Sequence, residues 1–215
     1  MPTVLGLREE ERRIVEEHID DSVEPLKRIL ENWQEALNKK GRIPYRAMPL
    51  EPTADGLILA AARGALPFVR RLIAEGVPVD ATNDVNHTAL MAAAWNSQTA
   101  VVTFLLSIGA NVNRRNAHGY TPLHCSVATP SAKPDLQREC ARLLLDRGAE
   151  VAALDHEGGT PLMSAAWFGC LPAVQLLLER GASASTMNKR GQTAADLAQQ
   201  RGHATVARVL TTGRP

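Results

Sequence analysis

Thr121-Pro122-Leu123-His124 returns as Thr160-Pro161-Leu162-Met163, and altered copies stand at Thr88-Ala89-Leu90-Met91 and Thr193-Ala194-Ala195-Asp196. The threonines lie 33, 39 and 33 residues apart. A glycine marks the other end of each unit, at Gly76, Gly109, Gly148, Gly181 and Gly213, with steps of 33, 39, 33 and 32. Two independent markers keep one period and absorb the same six extra residues in the same unit. A period of this size belongs to stacked supersecondary units rather than to one closed core. The functional question therefore becomes which surface the stack presents.

One unit can be built outward from Thr121. Threonine is a good helix N-cap, and Pro122 suits the first helical position, where its missing N–H would have no partner anyway. The short helix this begins runs to about Ala128. A second apolar helix is predicted over Leu136–Asp146, with Cys140, Leu143 and Leu144 on one face. Gly148 takes the left-handed position that ends it. A polar turn at Asp155-His156-Glu157-Gly158-Gly159 leads back to the next threonine. Phe104–Asn113 and Leu176–Ala182 repeat the second-helix ending.

Together the Thr-Pro-Leu-His box, the small pairs Ala93-Ala94 and Ala165-Ala166, Gly169 and the Leu-Leu-x-x-Gly-Ala endings closely resemble the ankyrin repeat family. The resemblance covers about residues 53–215, in five repeats at about 53–83, 84–116, 117–155, 156–188 and 189–215. It implies an all-α ankyrin-repeat solenoid, with each helix–loop–helix followed by a β-hairpin-like finger. Terminal units of a stack need polar outer faces. The last unit fits this need, adding Gln199, Gln200, Arg201 and Arg208 around Leu197, Val206 and Leu210. The first unit carries Asp55-Gly56-Leu57-Ile58 in place of the box while keeping Ala60-Ala61 and Gly64.

Residues 1–50 lack the repeat and read as an N-terminal helical extension and linker. One helix is expected over Leu7–His18. A second presents Val23, Leu26, Leu30, Trp33 and Leu37 as an apolar stripe, ends at Gly41 and leads into Pro44, Pro49 and Pro52. This pair either caps the first repeat or joins another chain.

The resemblance implies that partners meet the fingers and the exposed side of the first helices. The family's contact positions lie four, three and one residues before each threonine, and seven and eight after it. In this chain they include His87, Trp95 and Asn96; His118, Tyr120 and Ala128; Glu157, Trp167 and Phe168; and Arg190. Trp95, Trp167 and Phe168 gather three of the chain's eight aromatic residues on the groove side of the helices. With helix layers at ~10 Å spacing, Trp95 and Trp167 are expected about 20 Å apart across the small Ala128. The resulting hypothesis is an aromatic-flanked recess that accepts an apolar side chain. The competing reading packs both indoles into the fold. The six extra residues, near Thr129-Pro130-Ser131-Ala132-Lys133-Pro134, are expected in the loop between the helices of the third unit.

The net charge is +1, and neither half carries a block of five like charges, so no polyanionic partner is required. No run of ~18 apolar residues predicts a membrane span, and the N-terminus lacks the apolar core of a secretion signal. Cys125, Cys140 and Cys170 form no CxxC and read as reduced, packed thiols of a cytoplasmic or nuclear protein. His124 belongs to the box, where the resemblance gives it hydrogen bonds between neighbouring fingers. His87, His118 and His156 sit at different offsets from their threonines and have no metal-ligand spacing. No GxSxG, HExxH, Walker or GxGxxG motif is present.

These readings converge on a non-catalytic scaffold or adaptor that binds a partner protein through its concave groove and fingers. No cofactor, metal, nucleic acid, membrane or small-molecule substrate is expected. The alternative is an assembly or regulatory subunit that docks on another protein, or blocks it, through the N-terminal helices.

Overall fold

The structure is a computed structural model, and it describes residues 52–129 and 134–212. The two helices expected before residue 50 lie outside the described residues. Within them ten helices alternate between an inner and an outer row. The inner row is α1 Ala54–Ala62, α3 Ala89–Trp95, α5 Pro122–Val127, α7 Pro161–Trp167 and α9 Ala194–Gln200. The outer row is α2 Leu66–Ala74, α4 Thr99–Ser107, α6 Pro134–Asp146, α8 Leu171–Glu179 and α10 Ala204–Thr212. Each inner helix packs on the next inner helix and on its own outer partner, so the core is a continuous seam rather than a sphere.

The inner helices are short and rich in alanine, so their backbones can approach closely. Ala92, Ala93 and Ala94 in α3, and Ala165 and Ala166 in α7, are completely buried beside Leu90 and Leu162. Each buried leucine contributes about 1.5–3 kcal/mol by leaving water. Outer helices supply the second layer through Leu72, Leu105, Leu144 and Leu177, all inaccessible to solvent.

Threonine begins every inner helix. Thr53, Thr88, Thr121, Thr160 and Thr193 have extended backbones, and each hydroxyl accepts the amide three residues on. Such a cap contributes about 1 kcal/mol. The first unit departs from its expected register. Its cap is Thr53, two residues before Asp55, and α1 has nine residues where α3, α7 and α9 have seven.

The insertion of the third unit is likewise only partly loop. α6 has 13 residues against nine in α4, α8 and α10, so its first turn absorbs four of the added residues. Gln137 in that turn is buried and donates from Nε2 to both the carbonyl and the hydroxyl of Thr129, at 2.7 Å each. This clamp fixes the new turn of helix to the end of the preceding inner helix.

Candidate functional site

The fingers are held open by one side chain each. The Oδ1 atoms of Asn83, Asn116, Asp155 and Asn188 accept two amides apiece, from the residues two and four positions on, at 2.7–3.2 Å. The amide of the same residue donates to the carbonyl four positions on, which closes the turn. Glycines at positive φ, Gly119, Gly158 and Gly191, complete three of these turns, and Asn86 takes the position in the fourth at φ 56°. The asparagine and aspartate column keeps the steps 33, 39 and 33, so it was available in the sequence as a third marker of the period.

Neighbouring fingers are joined through backbone. The amide of Ala117 donates to Val85, that of His156 to His118 and that of Lys189 to Glu157, at 2.9–3.0 Å. Apart from one antiparallel bridge between Thr82 and Thr88, no strand occurs among the described residues. The ladder consumes main-chain groups and leaves the side chains of the tip residues for other uses.

His124 ties the fingers to the helices. Its Nδ1 accepts from the Thr121 amide at 3.2 Å and faces the Thr121 hydroxyl at 3.0 Å. With Nδ1 in that accepting role, Nε2 carries the proton and donates to the Gly159 carbonyl in the next repeat, at 3.3 Å. Burial, reinforced by the Arg115 charge, brings this imidazole down to about 4 although the Gly159 bond acts the other way. His87 is likewise lowered to about 4 by burial and by its neighbour His118.

The candidate contact residues divide by accessibility. His118, Tyr120, Trp95, Asn96 and Phe168 are half-buried, and Glu157 and Arg190 are exposed. Tyr120 lies between two imidazoles, 6.3 Å from His118 and 5.5 Å from His124 between ring centroids. Burial, with Asp155 and Glu157 nearby, raises its hydroxyl above the ordinary tyrosine range. His87 and Ala128 are each 2% exposed and belong to the packed framework.

Trp167 does not stand open as the groove hypothesis requires. It is 8% exposed, the Arg201 guanidinium covers its ring at 4.5 Å, and His203 bonds its carbonyl at 3.1 Å. The fifth repeat therefore closes over it, and the packing alternative holds for this indole. Trp95 and Phe168 remain as the partly open aromatic ends of α3 and of the turn after α7. All three thiols are buried, and burial pushes Cys125 and Cys140 up to about 12, so they are held as unreactive thiols. Among the described residues no group of three or more His, Cys, Asp or Glu could hold a metal ion. No described helix is long and apolar enough to cross a membrane.

A helical repeat array with side chains presented on hydrogen-bonded fingers is built to offer surface. The profile described as "Ankyrin repeats (3 copies)" matches residues 57–155 and 132–214, and the chain belongs to the ankyrin repeat family. Ankyrin repeats are in general protein–protein interaction modules. The chain is similar to ankyrin repeat protein nuc-2 of Neurospora crassa, at 31% identity over 156 residues, covering 72% of this chain and 14% of that protein. It is 34% identical over 149 residues to B-cell lymphoma 3 protein of Homo sapiens, covering 63% of this chain and 31% of that protein. The putative ankyrin repeat protein YahD of Escherichia coli (strain K12) is 28% identical over 186 residues, with 71% of this chain and 92% of that protein covered. The chain thus spans less than a third of the first two relatives.

Proposed function

We propose that this protein is a non-catalytic recognition module whose concave face, formed by the fingers and the ends of the inner helices, takes a segment of a partner protein. The observation that carries this reading is the partial exposure of Trp95 and Phe168 on elements that are otherwise buried. Large rigid aromatics left partly open supply contact area with few rotatable bonds to fix. His118 and Tyr120 extend this face along the third finger, and Glu157 and Arg190 add charge at the fourth and fifth. Asn96 is occupied by its own helix, donating to the Ala92 carbonyl at 3.0 Å, so it serves as edge rather than anchor. Trp167, His87 and Ala128 act beneath the surface by setting its shape.

Selection from a phage-displayed library of random 16-residue peptides tests the reading. Enrichment on the wild type is expected, with loss of at least tenfold in affinity of the selected peptides for Trp95→Ala and Phe168→Ala, both keeping wild-type helicity. The absence of any enriched peptide, or unchanged binding in both variants, refutes it.

A further inference from the structure

The fifth repeat carries a charge pattern unlike the rest. Residues 41–188 hold 12 Lys or Arg and 12 Asp or Glu, a net of zero. Residues 189–215 hold Lys189, Arg190, Arg201, Arg208 and Arg214 against Asp196 alone, which leaves 5 − 1 = +4. That single acid is occupied, since its Oδ2 accepts from the amide and hydroxyl of Thr193 at 2.8 and 2.6 Å. Many outward arginines of the earlier repeats are neutralised in place, as in Arg115–Glu150, Arg138–Glu179, Arg142–Glu139 and Arg180–Asp146. Among the described residues Lys189, Arg190 and Arg208 have no such ion pair.

The cations stand both on the finger and at the end of the inner helix. Lys189 and Arg190 are exposed at the finger tip, and Arg201 ends α9 over the Trp167 ring. Between them Gln192 Nε2 donates to Gln200 Oε1 at 3.2 Å, and Asn188 Nδ2 donates to Gln192 Oε1 at 3.3 Å. This amide bridge joins finger to helix and fixes the spacing of the two basic positions. An exposed repeat face needs polarity, which charges of either sign or neutral amides would supply; its need for solvation does not account for a surplus of one sign.

We infer that the fifth repeat is the docking end for an acidic peptide segment of the partner, carboxylates seated between Lys189, Arg190 and Arg201 while the adjoining residues lie along the aromatic repeats. This rests on the reading that the concave face takes a partner segment. Protein is favoured over nucleic acid because the preceding finger presents exposed Glu157, whose carbonyl accepts the Lys189 amide. A phosphate backbone following the fingers would meet that carboxylate, and it would require a basic stripe rather than a basic end.

The same 16-residue library is selected in parallel on the wild type, on Lys189→Glu/Arg190→Glu and on a control, Arg114→Glu/Arg147→Glu, each checked for folding by circular dichroism. Wild-type peptides should be enriched in Asp and Glu. That enrichment should disappear or reverse on the fifth-repeat variant and survive on the control, while aromatic enrichment persists on all three. Selected acidic peptides should weaken at least tenfold toward Lys189→Glu/Arg190→Glu. Wild-type peptides without acidic enrichment, or an acidic preference unchanged in that variant, overturn this inference and leave the recognition reading intact. No enrichment of any peptide removes both. Tighter binding of a 12-nucleotide single-stranded DNA than of the selected peptides, lost in the same variant, assigns the basic end to nucleic acid and overturns the peptide reading.

Discussion

Mild acid should destabilise this array before its carboxylates titrate, because His87 and His124 are buried as neutral rings. Both fall from an ordinary 6.5 to about 4 in the folded chain. A folded value below the unfolded one means that the unfolded state binds protons first, so stability is lost as pH falls from about 6.5 toward 4. The linkage relation gives about 0.2 kcal/mol of destabilisation per ring at pH 7 and about 2 kcal/mol at pH 5. The pair together removes about 4 kcal/mol across that interval, a large part of the 5–15 kcal/mol typical of a domain. The geometry supplies the reason for His124: a proton on Nδ1 would displace the Thr121 amide that this nitrogen accepts and break the box. Asp155 acts with the opposite sign, since burial raises its carboxyl and its protonation favours the folded state at acid pH. Urea unfolding followed by circular dichroism at pH 7, 6 and 5 measures the slope. His124→Met, which copies Met163 of the next repeat, should abolish about half of the acid loss. Equal stability at pH 7 and 5 in the wild type, or both imidazoles titrating near 6.5 by NMR, refutes the reasoning.

Two further outcomes come from comparing repeats. Ser97 holds φ 53° where Gly64, Gly169 and Gly202 stand in other repeats, and a side chain in the left-handed region costs about 1–2 kcal/mol. Ser97→Gly recovers this less the entropy of glycine, so the thermal midpoint should rise by about 2–3 °C; an unchanged or lower midpoint contradicts it. Asp155 is the one acid in a finger column otherwise made of asparagine, and its burial disfavours the charged form. Asp155→Asn keeps the Oδ1 acceptor, so it should raise the midpoint at pH 7, with the gain shrinking as acid protonates the carboxyl; calorimetry at neutral and acid pH decides.

The sequence carried the architecture wherever a residue acts within its own repeat. The capping threonines, the helix-ending glycines and the alanine pairs are local devices, so their spacing alone exposes them. Thr53 was missed because α1 is two residues longer, which shifts the cap off the Gly64 register. Asn83, Asn116, Asp155 and Asn188 are legible in the sequence as a column at the steps 33, 39 and 33. The sequence left both readings of Trp167, open and packed, standing. Its burial depends on Arg201 and His203, which lie 34 and 36 residues away and belong to the next repeat. The corresponding Trp95 precedes a repeat whose own inner helix ends at Val127 and is followed by Ala128-Thr129, with no arginine at the place of Arg201. Two tryptophans in one column thus differ in exposure because of their neighbours.

That difference explains how one framework separates structure from recognition. The threonine and asparagine columns spend their side chains on caps and turns, so a change there is felt by the fold. The finger-tip columns give only amide and carbonyl to the ladder, and side chains other than proline at those places leave the ladder intact. Chemistry can therefore vary along the tips, from Asp84 through His118 and Glu157 to Lys189 and Arg190, without cost to the stack. The helix-end columns are intermediate. Each such side chain faces either solvent or the following repeat, according to what that repeat places opposite it. The repeat that covers Trp167 is also the one with the unpaired finger-tip cations, so the fifth unit exchanges an aromatic surface for a basic one. A segment bound along this face would pass from aromatic contacts to charged ones in a fixed order, and that order gives the site a direction.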